Sequence, residues 1–177
     1  SFILIDNHAT QAEIKTNLKR MLSRVKSGDT IYFYYNGHGV PVPTLNNEPF
    51  MLPSNSEPDY IADETYFSLQ NIYSQLSDSK AAKVVAVVDS CFSGVTDGKA
   101  VLKGVAATKI VAKKVTFNKE KMVVITAGNA HQYSNGYDKK GYRLFSFFVM
   151  KNILNGDTNI KDLYKNSKQE TYDASLE

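Results

Sequence analysis

Thr30-Ile31-Tyr32-Phe33-Tyr34-Tyr35-Asn36-Gly37-His38-Gly39 and Lys83-Val84-Val85-Ala86-Val87-Val88-Asp89-Ser90-Cys91-Phe92-Ser93-Gly94 are built on one plan. In each, a run of β-branched, aromatic or small apolar residues stops abruptly at small polar residues and glycine. Continuous runs of this length read as strands buried on both faces, the kind that parallel sheets use. Met122–Thr126, stopped by Ala127-Gly128, is a third such run, and the opening Phe2–Ile5 reads as a further short strand.

Helical patterns lie between these runs. Thr10 and Glu13 make a capping-box start, after which Ile14, Leu18, Leu22 and Val25 recur at helical spacing up to Ser27-Gly28-Asp29. The proline-rich stretch from Val40 to Pro58 reads as loop. Leu69, Ile72, Tyr73 and Leu76 mark a second helix. Leu144–Leu154 is a mostly apolar third, stopped by Asn155-Gly156, and a last one runs from Ile160 to about Tyr172. Strands that alternate with helices predict an α/β fold with a largely parallel sheet and helices on both of its faces. Such sheets bind ligands beyond the carboxyl ends of their strands. His38 and Cys91 both stand there.

Composition narrows the field. The chain has 177 residues, 42% apolar and 22% charged, the mix of one globular domain and not of a disordered or collagen-like chain. Its apolar runs fall far short of the roughly 18 residues of a membrane helix. Cys91 is the one cysteine, so no internal disulfide or multi-cysteine zinc site can form. The net charge is +3, but residues 98–121 carry seven lysines and one acid, a local +6, which leaves −3 for the rest. With Phe117 the only aromatic residue in that stretch, it lacks the interleaved pattern of a nucleic-acid surface. No signal-peptide pattern opens the chain, so a cytoplasmic protein without nucleic-acid or membrane partners is expected.

A thiol attacks a carbonyl only as the thiolate, so it needs a base beside it and an accessible setting. The turn Ser90 to Gly94 would expose the Cys91 sulfur above the sheet. Gly37 and Gly39 would let backbone come close to a substrate, and the amides of Gly39 and Cys91 could face one developing oxyanion. Taken singly, a cysteine is most often a small buried hydrophobe and a histidine a satisfied polar residue. Placement of both at strand ends, inside glycine-bearing turns, points to a catalytic pair. A metal site is the weaker rival, since one sulfur and one imidazole leave two tetrahedral positions unfilled. Histidine precedes cysteine by 53 residues, which excludes the papain order. Asp89 stands where a nucleophile elbow would need glycine.

These motifs resemble the caspase-like superfamily of clan CD cysteine peptidases. They are most similar to its prokaryotic caspase-like and metacaspase branch, with Gly-His-Gly and Asp-Ser-Cys-x-Ser-Gly. Leu52-Pro53, Ile125 to Gly128, and Gln132 to Phe148 also sit where that family keeps recognisable stretches. The resemblance implies a three-layer αβα sandwich over residues 1–177. It makes Cys91 the nucleophile, His38 the general acid/base, and the Gly39 and Cys91 amides the oxyanion hole. Asp89 resembles the acid that lines the S1 pocket of metacaspases and selects Arg or Lys. A desolvated carboxylate facing a basic P1 group is worth a few kcal/mol, on the order of 10²-fold in selectivity. The bland reading of Asp89 is a turn or cap residue bonded to local amides.

Further expectations follow from the same resemblance. Asn36 stands beside the S1 pocket where metacaspases often have Ser, and Gln132 and Ser134 resemble its wall. His131 follows Cys91, against the family's order, and His8 reads as structural. The lysine-rich segment at about 98–121 sits where the family carries a processing linker, which makes Lys99, Lys103, Lys109, Lys113 and Lys114 candidates for self-cleavage. A solvated basic loop or short helix is the plainer reading. Asp59, Asp63 and Glu64 lie near where some metacaspases bind calcium, which needs 6–8 oxygens, so no required cofactor is expected. The family's first strand is not visible before Ser1, which makes a separately supplied N-terminal segment or a regulatory domain an expected partner. Two rivals stay open: a catalytically silent interaction module of the same fold, and a thiol hydrolase of small esters.

Overall fold

The computed structural model describes residues 1–92, 111–127 and 141–176, with the backbone alone of three two-residue strand pieces within 95–137. Thr10 opens the first helix, α1 (Gln11–Arg24), its hydroxyl accepting from the Glu13 amide at 3.3 Å. The chain then enters β1 (Thr30–Asn36) and the antiparallel ribbon β2 (Gly39–Val42) and β3 (Glu48–Met51). Next come α2 (Leu69–Ser77) and β4 (Lys83–Asp89), then the short β5 (Val95–Thr96) and β6 (Lys99–Ala100). β7 (Met122–Thr126), the short β8 (Gly136–Tyr137) and β9 (Tyr142–Arg143), α3 (Leu144–Leu154) and α4 (Ile160–Ala174) complete the order. β1, β4 and β7 form a parallel sheet in the order β1-β4-β7, the α/β architecture that the alternating pattern predicts.

Side chains alternate across the sheet. Ile31, Val84, Ala86, Val88 and Met122 meet Leu18 of α1 and Leu69, Ile72 and Leu76 of α2 in one buried cluster. Val87 and Ile125 face the other way, against Phe145 and Val149 of α3 and Ile160 of α4. The sheet therefore lies between two helical layers.

Three expectations need correction. Thr30–Tyr35 is not buried on both faces: Tyr32 is 78% exposed and Tyr34 51%, because the apolar contacts of α3 and α4 on that face fall on β4 and β7. The stretch after Gly39 is not all loop. β2 and β3 pair with Pro41 opposite Pro49, which a ladder tolerates where the two residues exchange no N–H bonds. Asn46 and Asn47 turn this ribbon in the left-handed region that Asn accepts readily. Phe2–Ile5 forms no strand. Ile3 and Ile5 are exposed and a 3-10 turn follows at Asp6–His8, since a β-prone run becomes a strand only when another strand pairs with it.

The part of the lysine-rich segment at 111–118 is neither helix nor free loop. The Lys113 amide donates to the Asn47 carbonyl at 2.8 Å, and Gln70 exchanges hydrogen bonds with the Thr116 backbone, accepting at 3.0 Å and donating at 2.9 Å. Val115 and Phe117 pack on the α1/α2 cluster. Residues 101–110 lie outside the described residues. Among those described, no helix is long and apolar enough to cross a membrane.

Candidate active site

Register sets the site. Asn36 pairs with Asp89 at the carboxyl ends of β1 and β4, and the Gly37 amide donates to the Asp89 carbonyl at 3.3 Å, one step beyond. His38 and Cys91 each follow that pair by two residues, so both turns leave the same sheet edge side by side. His38 is exposed and Cys91 half-buried.

Gly39 joins the two turns. It is buried, and a Cβ built on it would lie 2.3 Å from Phe92 Cε1 and 2.6 Å from Ser90 Oγ. No side chain fits there. The backbone beside His38 is thus seated directly on the turn that carries Cys91. Gly37 answers a second closeness, since a Cβ on it would stand 2.7 Å from the Tyr35 hydroxyl.

That hydroxyl holds the histidine turn. It donates to the His38 carbonyl at 2.5 Å and accepts from the Leu52 amide at 3.2 Å, while the same amide also reaches the His38 carbonyl at 3.0 Å. Burial pushes the Tyr35 phenol well above its ordinary value, outweighing the Leu52 backbone bond and the charge of Arg143, which lower it. The phenol therefore stays a donor.

Asp89 is fully buried. Its Oδ2 accepts from the Ser146 amide at 2.9 Å and from the Ser146 hydroxyl at 2.6 Å. Tyr34 in turn donates to Ser146 Oγ at 2.7 Å. Ser146 is the third residue of α3, where the amide has no partner within the helix. Arg143, the N-cap, supplies no side-chain capping bond, so the cap of α3 comes from β4. Asn36 is exposed at the edge beside Asp89. Sequence reasoning missed Ser146. Its signal was a lone hydroxyl in the first turn of an otherwise apolar helix.

Ser90 is 9% exposed, and its hydroxyl has no hydrogen-bond partner among the described residues. Asp59, Asp63 and Glu64, the less favoured calcium candidates, form no metal cluster. Glu64 accepts from Lys15 Nζ at 2.8 Å, and among the described residues no group of three or more His, Cys, Asp or Glu could hold a metal ion. His131, Gln132, Ser134, Lys103, Lys109 and the side chain of Lys99 lie outside the described residues. Lys113 and Lys114 are exposed, the former with Nζ 3.9 Å from Glu48.

Comparison with known proteins places the chain in a family. The caspase-domain model of peptidase family C14 matches residues 3–174. A stretch of 88 residues, 48% of the chain, is 32% identical to Metacaspase-9 of Arabidopsis thaliana. The match spans about a quarter of that relative, 26% of its length.

Proposed function

The chain belongs to the caspase-domain family of peptidases, and on that footing we propose that it is a cysteine endopeptidase working through Cys91 and His38. The observation that carries this reading is the seating of Gly39 on Ser90 and Phe92, which locks the imidazole-bearing turn to the sulfur-bearing one.

The chemistry runs in two halves. His38 takes the thiol proton, and the Cys91 sulfur attacks the carbonyl carbon of the scissile bond. The amides of Gly39 and Cys91 face the oxyanion. The C–N bond breaks as His38 passes its proton to the leaving amine, and a thioester remains on Cys91. His38 then takes a proton from water, whose oxygen attacks the thioester. Collapse frees the carboxyl product and restores the thiol.

Asp89, with Asn36 beside it, selects Lys or Arg at P1. A panel of fluorogenic peptides tests this with wild type and Cys91→Ala. Arg and Lys peptides are expected to be cleaved on the order of 10²-fold faster than neutral ones, and the alanine variant not to turn over. Turnover of Asp peptides alone would refute the pocket assignment. No turnover, together with chloromethylketone labelling of Cys91 no faster than of free cysteine, would make the domain a binding module instead.

Self-processing within residues 98–121 belongs to the same reading, since Lys113 and Lys114 are exposed and outside any helix or strand. Denaturing gels of wild type beside Cys91→Ala decide it. Identical intact bands under conditions that support peptide turnover would exclude it.

A further inference from the structure

α3 differs from the other helices in what closes its first turn. α1, α2 and α4 are capped by their own N-cap side chains, Thr10, Ser68 and Asn159. α3 has no such cap and instead takes the carboxylate of Asp89, a residue 57 positions earlier and two before Cys91. A carboxylate with no exposed surface is costly to bury unless donors surround it, so this arrangement calls for a reason beyond helix capping.

Alternation puts Tyr34, Asn36, Val87 and Asp89 on the sheet face that α3 covers. There the Tyr34 hydroxyl donates to Ser146 Oγ, and the Ser146 hydroxyl and amide both donate to Asp89 Oδ2. This chain of bonds ties β1, β4 and α3 together at the sheet edge where His38 and Cys91 stand. Two donors on Oδ2 hold that oxygen toward α3 and restrict rotation of the carboxylate about its stem. We infer that Ser146, and behind it Tyr34, are positioning residues that set P1 selectivity by fixing the direction of the Asp89 carboxylate. The inference rests on the reading of Asp89 as the acid that meets a basic P1 group. Neither residue touches substrate. Both act through Asp89.

The deciding measurement is the ratio of kcat/KM for an Arg peptide to that for its citrulline counterpart, a neutral side chain of nearly the same shape. Wild type, Ser146→Ala, Ser146→Thr and Tyr34→Phe are compared, with thermal midpoints recorded alongside. Ser146→Ala is expected to lower the ratio about tenfold, mainly through KM for the Arg peptide, because a hydrogen bond to a charged group is lost. Ser146→Thr keeps the hydroxyl and restores the ratio. Tyr34→Phe, at a half-exposed position, gives a smaller fall of about two- to threefold, the scale of one neutral hydrogen bond acting at a distance.

The outcomes separate cleanly. A wild type that does not prefer Arg over citrulline overturns the basic-P1 reading, and this inference with it. A wild type that prefers Arg, beside variants with the same ratio and lower thermal midpoints, leaves that reading intact and reduces Ser146 to a helix cap. If Ser146→Ala does not fold, Tyr34→Phe decides, and an unchanged ratio there overturns the inference.

Discussion

On one face of the sheet, α1 and α2 press Leu18, Ile72 and Leu76 onto Ile31, Val84 and Val88 along the whole strand length. On the other, the apolar contacts of α3 and α4 fall on β4 and β7, with Phe145 and Val149 on Val87 and Ile125, and leave Tyr32 and Val123 in solvent. The first face is held by apolar volume. The second is held by a smaller apolar contact together with the polar chain from Tyr34 through Ser146 to Asp89. Stability and chemistry are thus divided between the faces. Full cover on one side leaves the other free to spend its contacts on aiming side chains at the sheet edge.

The division breaks most visibly at Leu76, which has no exposed surface. Leu76→Ala should cost about 2–5 kcal/mol in urea unfolding, the range for emptying a close-packed leucine site. Its P1 preference per folded molecule should stay that of wild type. A loss under about 1 kcal/mol would mean that the α1/α2 face does not carry the fold. Gly39→Ala probes the sheet edge instead of the core. Its new methyl would stand 2.3 Å from Phe92 Cε1, so the turn that bears Cys91 must shift. Turnover should fall by about 10²-fold, the scale of an ångström of misplacement, with a smaller loss of stability than at Leu76. Turnover within about threefold of wild type would show that the two turns are not locked to one another.

These two positions also mark how far the sequence could be read. Thr30–Tyr35, Lys83–Val88 and Met122–Thr126 were legible because each is an apolar run between strong breakers, and strand position then placed His38 and Cys91 at one edge. What failed depends on distant partners. Phe2–Ile5 has the residues of a strand and nothing described to pair with. Pro41 and Pro49 read as loop signals until they are seen opposite each other in a two-stranded ribbon. Tyr32 and Tyr34 look like core residues, but the apolar contacts of α3 and α4 fall on β4 and β7 and leave them exposed. The Asp89–Ser146 bond spans 57 residues, so no local pattern announces it. Cβ packing at Gly39 is equally invisible in a string of letters, which shows only that a glycine stands there.

Tyr35 crosses the division: its ring packs with the α1/α2 cluster and its hydroxyl serves the His38 carbonyl. Tyr35→Phe should cost about 1–2 kcal/mol at neutral pH, the loss of one good hydrogen bond plus a carbonyl left poorly paired. The sign of the pH effect follows from burial, which raises the folded phenol above the ordinary value near 10. The corresponding stability is fully present below that value and fades as pH rises past it, since the unfolded phenol ionises first. Wild type should therefore lose more stability than Tyr35→Phe between about pH 9 and 11, and the gap between them should close. A constant gap across that range would exclude the buried neutral phenol.

The weakest contact tested lies on the half-open face, where Lys151 Nζ donates to Glu170 Oε1 at 2.6 Å and Asn152 Nδ2 to Oε2 at 2.8 Å, pinning α4 to α3. Partial burial acts to raise the Glu170 carboxyl, but the bonds from Lys151 and Asn152 and the lysine charge outweigh it, and the net shift is downward. A depressed carboxyl stabilises the fold above the unfolded value near 4.3 and loses that contribution as pH falls through the lower folded value. Both partners are about a third or more exposed, so solvent screening holds the contribution to a few tenths of a kcal/mol. Glu170→Gln should thus be slightly less stable than wild type at neutral pH, and the two should converge by about pH 3. A difference that persists unchanged into acid would mean the glutamate acts there by packing and not by charge. A difference above about 1 kcal/mol would mean that polar contacts anchor this face far from the site as firmly as they do beside it.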